Sequence, residues 1–272
     1  MNFLGVKISE VDLEKAREKV REFLGSSNQH KIFTPNPEMI VKAQKDKYFQ
    51  DVLNSGDLNL CDGKGLEMFT KIKRIPGIDF MLEVCKIAAE KGTGVYLLGS
   101  GRDEVVKKTA ENLQKQFPGL KIVGYDKGPV IEENCHSEHI HCVQCKLREE
   151  SLSNSFGHGS LVGASLARDD TVAKINACNP DILFVAFGMG KQEKWIHENL
   201  SKMPSVKIAM GVGGSFDYIS GKAKRAPLFL RKVGLEWMYR LFKQSSRIWR
   251  ILNATVRFCY LIIKNYIYEK KI

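Results

Sequence analysis

The chain repeats one unit, an apolar segment that ends in a glycine turn and leads into a helical pattern, and this repeat limits its fold more than any other feature. Three such units are present: 95–98 before Gly99 and Gly101, 182–187 before Gly188 and Gly190, and 207–210 before Gly211, Gly213 and Gly214. Uninterrupted apolar strands that alternate with helices are typical of a parallel sheet covered on both faces. The sequence therefore predicts an α/β fold in which the glycine turns gather at the carboxyl ends of the strands, where such folds bind ligands.

The beginning of the chain fits the same fold. Residues 12–24 have the apolar spacing of a helix, and residues 31–34 have the pattern of a short strand. Asn36 can then cap a helix that has Pro37 at its first position. Helix amino termini at a sheet edge suit phosphate groups, but tight turns between strands and helices also use glycine for structural reasons alone. The glycine turns by themselves leave both interpretations open.

The net charge divides the chain into two domains. The whole chain carries 42 Lys and Arg against 31 Asp and Glu, a net charge of +11. Residues 221–272 hold 13 of the basic residues and only two acids, so the first 220 residues are neutral overall. Aromatic side chains are interleaved with the cations of this last segment. We predict an α/β core over 1–220 and, over 221–272, a basic, aromatic-rich appendage that meets an anionic surface.

A membrane is the anionic surface that this appendage suits best. Its longest apolar run, 251–263, is interrupted by Asn253 and Arg257, whereas a spanning helix needs about 20 mainly apolar residues. The run therefore favours a helix lying in the membrane interface. A helix that packs on the body or on a sister subunit is the first alternative. Nucleic acid is the weakest alternative, because no base-reading motif accompanies the charge.

Residues 135–169 interrupt the strand and helix patterns. They hold three of the seven cysteines and four of the six histidines. Their pattern indicates an insertion into an existing fold, with a zinc site at Cys142 and Cys145 as the alternative. The remaining cysteines are scattered and predict free thiols, and the first residues lack the pattern of a secretory signal. Both features predict a cytoplasmic protein.

Several separated motifs, taken in order, resemble the WecG/TagA/CpsF glycosyltransferases. Three of them carry most of the resemblance: Thr34-Pro35-Asn36-Pro37-Glu38-Met39, Leu58-Asn59-Leu60-Cys61-Asp62-Gly63 and Gly211-Val212-Gly213-Gly214-Ser215-Phe216-Asp217. Residues 76–79, 188–195, 225–227 and 234–240 strengthen it. The resemblance covers nearly the whole chain except 135–169, and the link between Thr70 and Arg74 is shorter than in the usual pattern.

The resemblance implies a fold, a reaction and a location. It implies a Rossmann-like parallel sheet flanked by helices, with a C-terminal helical appendage that targets the membrane, as in the TagA branch. The implied reaction is inverting transfer of N-acetylmannosamine from UDP to N-acetylglucosamine on undecaprenyl diphosphate, early in wall teichoic acid synthesis, without metal or cofactor. The implied location is the inner face of the cell membrane. Two alternatives are the uronic acid form of the donor and a non-catalytic, membrane-tethered nucleotide-binding protein.

The same resemblance assigns roles to residues of the core. Asp62 matches the proposed base, although a strand-end Asp beside glycine can also simply form a turn or cap a helix. Asp217 is the competing acid, which holds either the donor or the local structure. Thr34 and Asn36 are expected to line the sugar and acceptor pocket. The other expected donor contacts are the Gln192 side chain and the backbone N–H groups of Gly213, Gly214 and Ser215.

Arginine is the expected ligand of the UDP diphosphate, because the implied mechanism uses no metal. Four candidates lie in the appendage: Arg225, Arg240, Arg247 and Arg250. The last three share one face of a helix. Solvated cations or headgroup contacts are the alternative. The sharper hypothesis is that the appendage folds over the pocket on the membrane; if subunits associate away from the membrane, the appendage is the expected interface.

Overall fold

The computed structural model describes residues 1–129, 170–227, 229, 230, 239 and 255–264. Six strands form the central sheet: β3 (His30–Phe33), β4 (Leu58–Asn59), β5 (Gly94–Gly99), β6 (Lys121–Asp126), β7 (Ile182–Ala186) and β8 (Ile208–Gly211). All neighbouring strands are parallel, and their spatial order is β4-β3-β8-β7-β5-β6. A small antiparallel hairpin of β1 (Asn2–Phe3) and β2 (Val6–Lys7) precedes this sheet. The predicted parallel α/β sheet is confirmed.

Helices cover both faces of the sheet. The described helices are α1 (Leu13–Gly25), α2 (Pro37–Ala43), α3 (Lys47–Asn54), α4 (Lys64–Thr70), α5 (Gly77–Lys91), α6 (Asp103–Gln116), α7 (170–178), α8 (Lys191–Asn199), α9 (Ser215–Ile219) and α10 (255–264). Apolar residues of α1, α5, α6 and α9 form the core on one face, and those of α2, α3, α7 and α8 form the core on the other. The central strands of the sheet are therefore covered on both sides.

Strand periodicity explains how one segment serves both cores. All six residues of β5 are buried. Val95 and Leu97 belong to the core against α1, α5 and α6, whereas Tyr96 and Leu98 belong to the opposite core. This is the alternation that a pleated strand imposes, and it explains why a strand covered on both faces is apolar throughout. Trp195 of α8 is 2% exposed and belongs to the core on the face of α2 and α3.

Side-chain caps begin α1 and α2, and the cap at Asn36 was predicted. The Asp12 carboxylate accepts the Lys15 N–H at 2.9 Å and begins α1. The Asn36 side chain accepts the Met39 N–H at 3.0 Å and begins α2, with Pro37 at its first position. A cap of this kind typically contributes about 1 kcal/mol. Both helices therefore begin where the sequence indicates, and the second one begins at the carboxyl end of β3.

The described part of the appendage contacts the core. Phe258 of α10 is 3% exposed and lies with its ring centroid 6.0 Å from that of Phe69 and 6.1 Å from that of Phe3. Leu261 and Ile262 pack on the same core cluster. Burying a phenylalanine of this kind contributes about 2 kcal/mol. One face of this helix therefore packs on the body, as one of the sequence alternatives proposed.

Other sequence expectations have partial outcomes. The four described cysteines, Cys61, Cys85, Cys178 and Cys259, are free. Residues 170–178 form a helix directly after the predicted insertion, whereas the Cys/His-rich segment itself lies outside the described residues. Within the described ranges, no helix combines the length and the apolar character that crossing a membrane requires.

Candidate active site

The segments that carry the predicted site residues lie side by side at the carboxyl-terminal edge of the sheet, where the parallel strands end. They follow β4, β3, β8 and β7, which are consecutive neighbours in the sheet. Because all these strands are parallel, their carboxyl ends meet at the same edge. Topology therefore brings together residues that are up to about 180 positions apart in sequence, in the order Asp62, Thr34 and Asn36, Gly213, and Gln192. No sequence pattern specifies this order.

Asp62 follows β4, the outermost of these strands, and is held there through its backbone and its side chain. Its N–H donates to the Pro35 carbonyl at 2.9 Å, which continues the pairing of the two loops beyond the ends of β3 and β4. Its carboxylate accepts the N–H of Gly77, the first residue of α5, at 3.3 Å. The side chain is half-buried. A carboxylate at a helix amino terminus is stabilised by the helix dipole, so this position suits an ionised acid.

Thr34 and Asn36 both lie close to this carboxylate loop. A Cβ on Gly77 would be 3.1 Å from Thr34 Oγ1, which shows how closely the threonine hydroxyl approaches the helix end that binds Asp62. Gly63 has φ +99°, and a Cβ there would be 3.0 Å from the Pro37 Cδ. Only glycine combines this backbone conformation with so close an approach. The structure therefore places Thr34 and Asn36 close to the Asp62 loop, and their role in lining a sugar pocket stays a prediction.

The Gln192 side chain links two loops of the site. Its Oε1 accepts the Gly213 N–H at 2.8 Å, and its Nε2 donates to Glu193 Oε1 at 2.7 Å. Gln192 is 4% exposed. The first turn of α8, which follows β7, thereby holds the glycine turn after β8 in place. Gln192 was expected to contact the donor directly, and the structure shows its side chain bonded to the glycine turn and to Glu193.

Glu193 is a buried acid that the sequence analysis did not single out. It is 1% exposed, and its Oε2 accepts the Gly190 N–H at 2.7 Å. Burial raises the pKa of its carboxyl to about 7, although hydrogen bonds and the nearby Lys42 oppose this shift. The spacing of a glycine cap and a glutamate three residues later is half of a capping box, a signal that could have identified it. Glu193 thus orients the Gln192 side chain by accepting its hydrogen bond.

The glycine turn after β8 has one exposed member. The Gly213 N–H is donated to Gln192, and the Ser215 N–H is donated to the Val212 carbonyl at 3.1 Å. The Ser215 hydroxyl also donates to Val212, at 2.6 Å, and the residue is 4% exposed. Gly214 is exposed, and a Cβ added to it would meet no atom of the described residues within 4 Å. Gly214 is therefore the member of the turn that a nucleotide can approach most closely.

The two remaining described candidates form ion pairs. Asp217 of α9 accepts the Lys222 ammonium at 2.9 Å, with both side chains partly exposed. The Arg225 guanidinium makes a bidentate pair with the Asp79 carboxylate, at 2.6 and 2.9 Å, and is 16% exposed. Asp79 lies in the first turn of α5, the helix whose first N–H binds Asp62. Arg225 is therefore attached to the helix whose first N–H binds the candidate base, and its charge is matched by a carboxylate.

Two further residues near the Asp62 loop were given no role in the sequence analysis. Asp79, the first, belongs to one of the motifs of the resemblance, but its partner Arg225 is 146 positions away. Arg74 is the other: the next residue, Ile75, donates its N–H to the Cys61 carbonyl at 2.9 Å, which places this cation beside the Asp62 loop. Arg240, Arg247 and Arg250 lie outside the described residues. Among the residues that the structure describes, no cluster of three His, Cys, Asp or Glu side chains could hold a metal ion.

Comparison with known proteins covers the whole chain. The model of the Glycosyl transferase WecG/TagA/CpsF family matches residues 1–272. An N-acetylglucosaminyldiphosphoundecaprenol N-acetyl-beta-D-mannosaminyltransferase of Bacillus subtilis (strain 168) is 31% identical, over 86% of this chain and 78% of that enzyme. A protein of the same name from Staphylococcus aureus (strain MW2) is 29% identical, over 97% of this chain and 92% of that enzyme.

Proposed function

The chain belongs to the WecG/TagA/CpsF family of glycosyltransferases, and from this premise we propose that it transfers N-acetylmannosamine from UDP to N-acetylglucosamine on undecaprenyl diphosphate. The observation that carries the proposal is the similarity, over 97% of the chain, to the Staphylococcus aureus enzyme whose name states this transfer. The product would be the lipid-linked disaccharide that begins wall teichoic acid. The reaction class itself follows from the family.

The geometry supports Asp62 as the base of an inverting transfer. The acceptor hydroxyl gives its proton to the Asp62 carboxylate as its oxygen attacks the anomeric carbon from the face opposite UDP. The new carbon–oxygen bond forms, the bond to the diphosphate breaks, and UDP leaves with the electron pair. A positioned base contributes about 10²- to 10⁴-fold to such a step. Gly77 orients the carboxylate through its 3.3 Å hydrogen bond, and Thr34 and Asn36 adjoin it to hold the sugars.

Stabilisation of the departing UDP falls to backbone donors and arginine. Gly214 is exposed on the turn held by Gln192, so its N–H can approach the diphosphate. Arg225 pairs with Asp79 and thereby anchors the start of the appendage beside α5. We assign the diphosphate contacts to Arg240, Arg247 and Arg250, which the appendage would deliver. Bidentate arginine contacts replace a metal in this scheme, so the proposed transfer needs no divalent cation.

The charge distribution supports a location on the inner face of the cell membrane. Residues 221–272 carry 13 basic and two acidic side chains, and each such cation near an anionic membrane contributes about 1 kcal/mol of attraction. The acceptor would be presented by the same membrane. The proposed partners are therefore a UDP-sugar, a polyprenyl-diphosphate-linked sugar and an anionic lipid surface. Association into homo-oligomers away from the membrane belongs to the same proposal.

Product analysis with two donors tests the proposed function. The purified full chain is incubated with lipid-diphosphate-linked N-acetylglucosamine and either UDP-N-acetylmannosamine or the corresponding uronic acid donor, and the lipid products are identified by mass spectrometry. We expect an added N-acetylhexosamine from the first donor. Product from the uronic acid donor alone would reassign the donor. Retained UDP binding without product from either donor would favour a non-catalytic tether. A lipid phosphate that lacks N-acetylglucosamine is the acceptor control.

A further inference from the structure

Half of the large exposed apolar side chains among the described residues lie on two helices that contact each other, α4 and α10. Of the ten such residues, five lie on these two helices. On α4, Met68 is 67% exposed and Phe69 is 43% exposed. On α10, the exposed fractions of Val256, Tyr260 and Ile263 are 67%, 62% and 58%. Large apolar groups gathered in one region, rather than scattered singly, mark an interaction surface.

The spacing on α10 separates a packed face from an exposed one. Phe258, Leu261 and Ile262 pack on the body. Val256, Tyr260 and Ile263 are spaced four and three residues apart, which places them in one stripe along the helix. The helix therefore has apolar residues on two sides, and the core covers only one of them. A helix that contacts only the body is expected to have a polar outer face. The outer stripe of α10 is apolar instead.

Phe258 packs α10 against α4. Its ring centroid is 6.0 Å from that of Phe69. It also approaches Gly65, where a Cβ would be 3.6 Å from its ring. Gly65 and Phe69 both belong to α4. The exposed residues of α4 and the outer stripe of α10 therefore belong to neighbouring elements, one from the catalytic body and one from the appendage. We call Met68, Phe69, Val256, Tyr260 and Ile263 the outer apolar surface.

The charge around this surface indicates an anionic partner. Residues 64–74 contain four cations and one acid, and residues 255–264 contain two cations and no acid. Lys71 and Lys73 are exposed directly after α4, and Arg257 and Lys264 are exposed on α10. Apolar side chains bordered by Lys and Arg are the composition of segments that lie in an anionic membrane interface. A second copy of the chain would bring the same positive charge to this surface, so the charge favours an anionic partner over self-association here.

We propose that the outer apolar surface enters the headgroup region of an anionic bilayer, so that α4 of the body contacts the membrane together with the appendage. α4 begins two residues after Asp62. Contact through Met68 and Phe69 would therefore hold the candidate base at the membrane surface, where the diphosphate of a lipid-linked acceptor lies. This last consequence rests on the proposed function. The membrane contact itself rests on exposure, helix spacing and charge.

Vesicle co-sedimentation of the full chain tests this surface, with Met68 as the site of change. Met68→Glu adds negative charge to the surface and should weaken binding to phosphatidylglycerol-rich vesicles by about 10-fold. Met68→Trp should strengthen binding by about 3-fold, because tryptophan favours the interface. Tyr125 is 46% exposed on β6, at the opposite edge of the sheet from β4. Tyr125→Glu and Tyr125→Trp are the matched controls and should leave binding unchanged.

Two results would overturn the inference. Vesicle binding that is the same for wild type, Met68→Glu and Met68→Trp would show that α4 does not contact lipid. Dissociation of a wild-type oligomer by Met68→Glu, measured by light scattering, with unchanged vesicle binding would assign the surface to a second copy. The vesicles contain neither donor nor acceptor. A wild-type chain that transfers no sugar would therefore count against the proposed function alone and leave the vesicle result standing.

Discussion

At the scale of single residues, Glu193 is the described carboxyl group whose ionisation burial opposes most clearly. Burial raises the pKa of its carboxyl from 4.5 to about 7. Between these values the folded protein keeps a proton that the unfolded chain has lost, so stability falls as the pH rises through this window. The contribution amounts to about 3 kcal/mol by the upper end of the window. A buried acid that weakens the fold at neutral pH is a common feature of functional sites.

Glu193→Gln should remove this pH dependence. The variant loses one acceptor for the Gly190 and Gln192 donors, which costs about 1 to 2 kcal/mol at every pH. Relative to wild type, however, its free energy of unfolding should rise as the pH increases from about 5 to about 7. Urea unfolding at several pH values measures this difference. Glu198→Gln, an exposed position on the same helix, is the control. A difference that stays constant with pH would contradict the assignment.

Arg225 is expected to act through Asp79. Its bidentate pair is 16% exposed on the arginine side and 45% on the aspartate side, so we expect a coupling free energy of about 1 kcal/mol in a double-mutant cycle of unfolding. Arg225→Ala and Asp79→Ala should reduce transfer to a similar extent, because each releases the appendage from α5. Lys222→Ala, which breaks an exposed pair with Asp217, is the control. Loss of transfer in Arg225→Ala alone would assign Arg225 to the diphosphate.

Sequence patterns identified some of these residues and could not identify others. Asn36 was predicted as a helix cap because capping depends on residues three positions apart, and its hydrogen bond to Met39 is present. Asp62 was selected through motif resemblance, and topology then placed it beside Thr34. The pair of Arg225 and Asp79 joins positions 146 residues apart. Only the folded arrangement of α5 and the chain after α9 brings them together, so no local pattern could reveal it.

At the scale of elements, α10 is the part of the appendage whose attachment can be tested by one substitution. Phe258→Ala removes a side chain that is 3% exposed and contacts Phe3 and Phe69. It should weaken the docking of α10 by about 3 kcal/mol, while the body remains folded. Hydrogen exchange should show faster exchange of amides in 255–264 and unchanged protection in β5 and β7. Tyr260→Ala, at an exposed position of the same helix, is the control. Unchanged exchange in α10 would contradict the packing.

Elements with strong periodicity were the predictable ones. β5, β7 and β8 are fully buried and therefore appear in the sequence as continuous apolar runs. β6 alternates between exposed and half-buried residues at the edge of the sheet, and the sequence analysis did not single it out. The order β4-β3-β8-β7-β5-β6 depends on helix crossovers rather than on the sequence of any strand. Candidate site residues could therefore be selected from the sequence, whereas the order in which their loops lie next to one another could not be predicted.

At the scale of the whole molecule, the appendage is expected to complete the site as well as reach the membrane. A chain that ends at Lys224 loses Arg225 and the three arginines assigned to the diphosphate. Its transfer should fall at least about 100-fold even with a detergent-soluble acceptor, because removing one charge-stabilising group typically costs about 10²-fold or more. Calorimetric UDP titration and circular dichroism check that the core is intact. Full activity of the truncated chain toward the soluble acceptor would show that the appendage serves only for attachment.

The central claim is that Asp62 is the base of a metal-independent sugar transfer. The most direct test is formation of the lipid-linked disaccharide from UDP-N-acetylmannosamine in excess EDTA. Wild type is compared with Asp62→Asn. The control is Asp103→Asn, which changes an exposed acid at the same carboxyl-terminal edge of the sheet. We predict that wild type and Asp103→Asn retain transfer, whereas Asp62→Asn loses about 10²- to 10⁴-fold and still binds UDP. Transfer by Asp62→Asn at the wild-type rate, or loss of wild-type transfer in EDTA, would contradict the account.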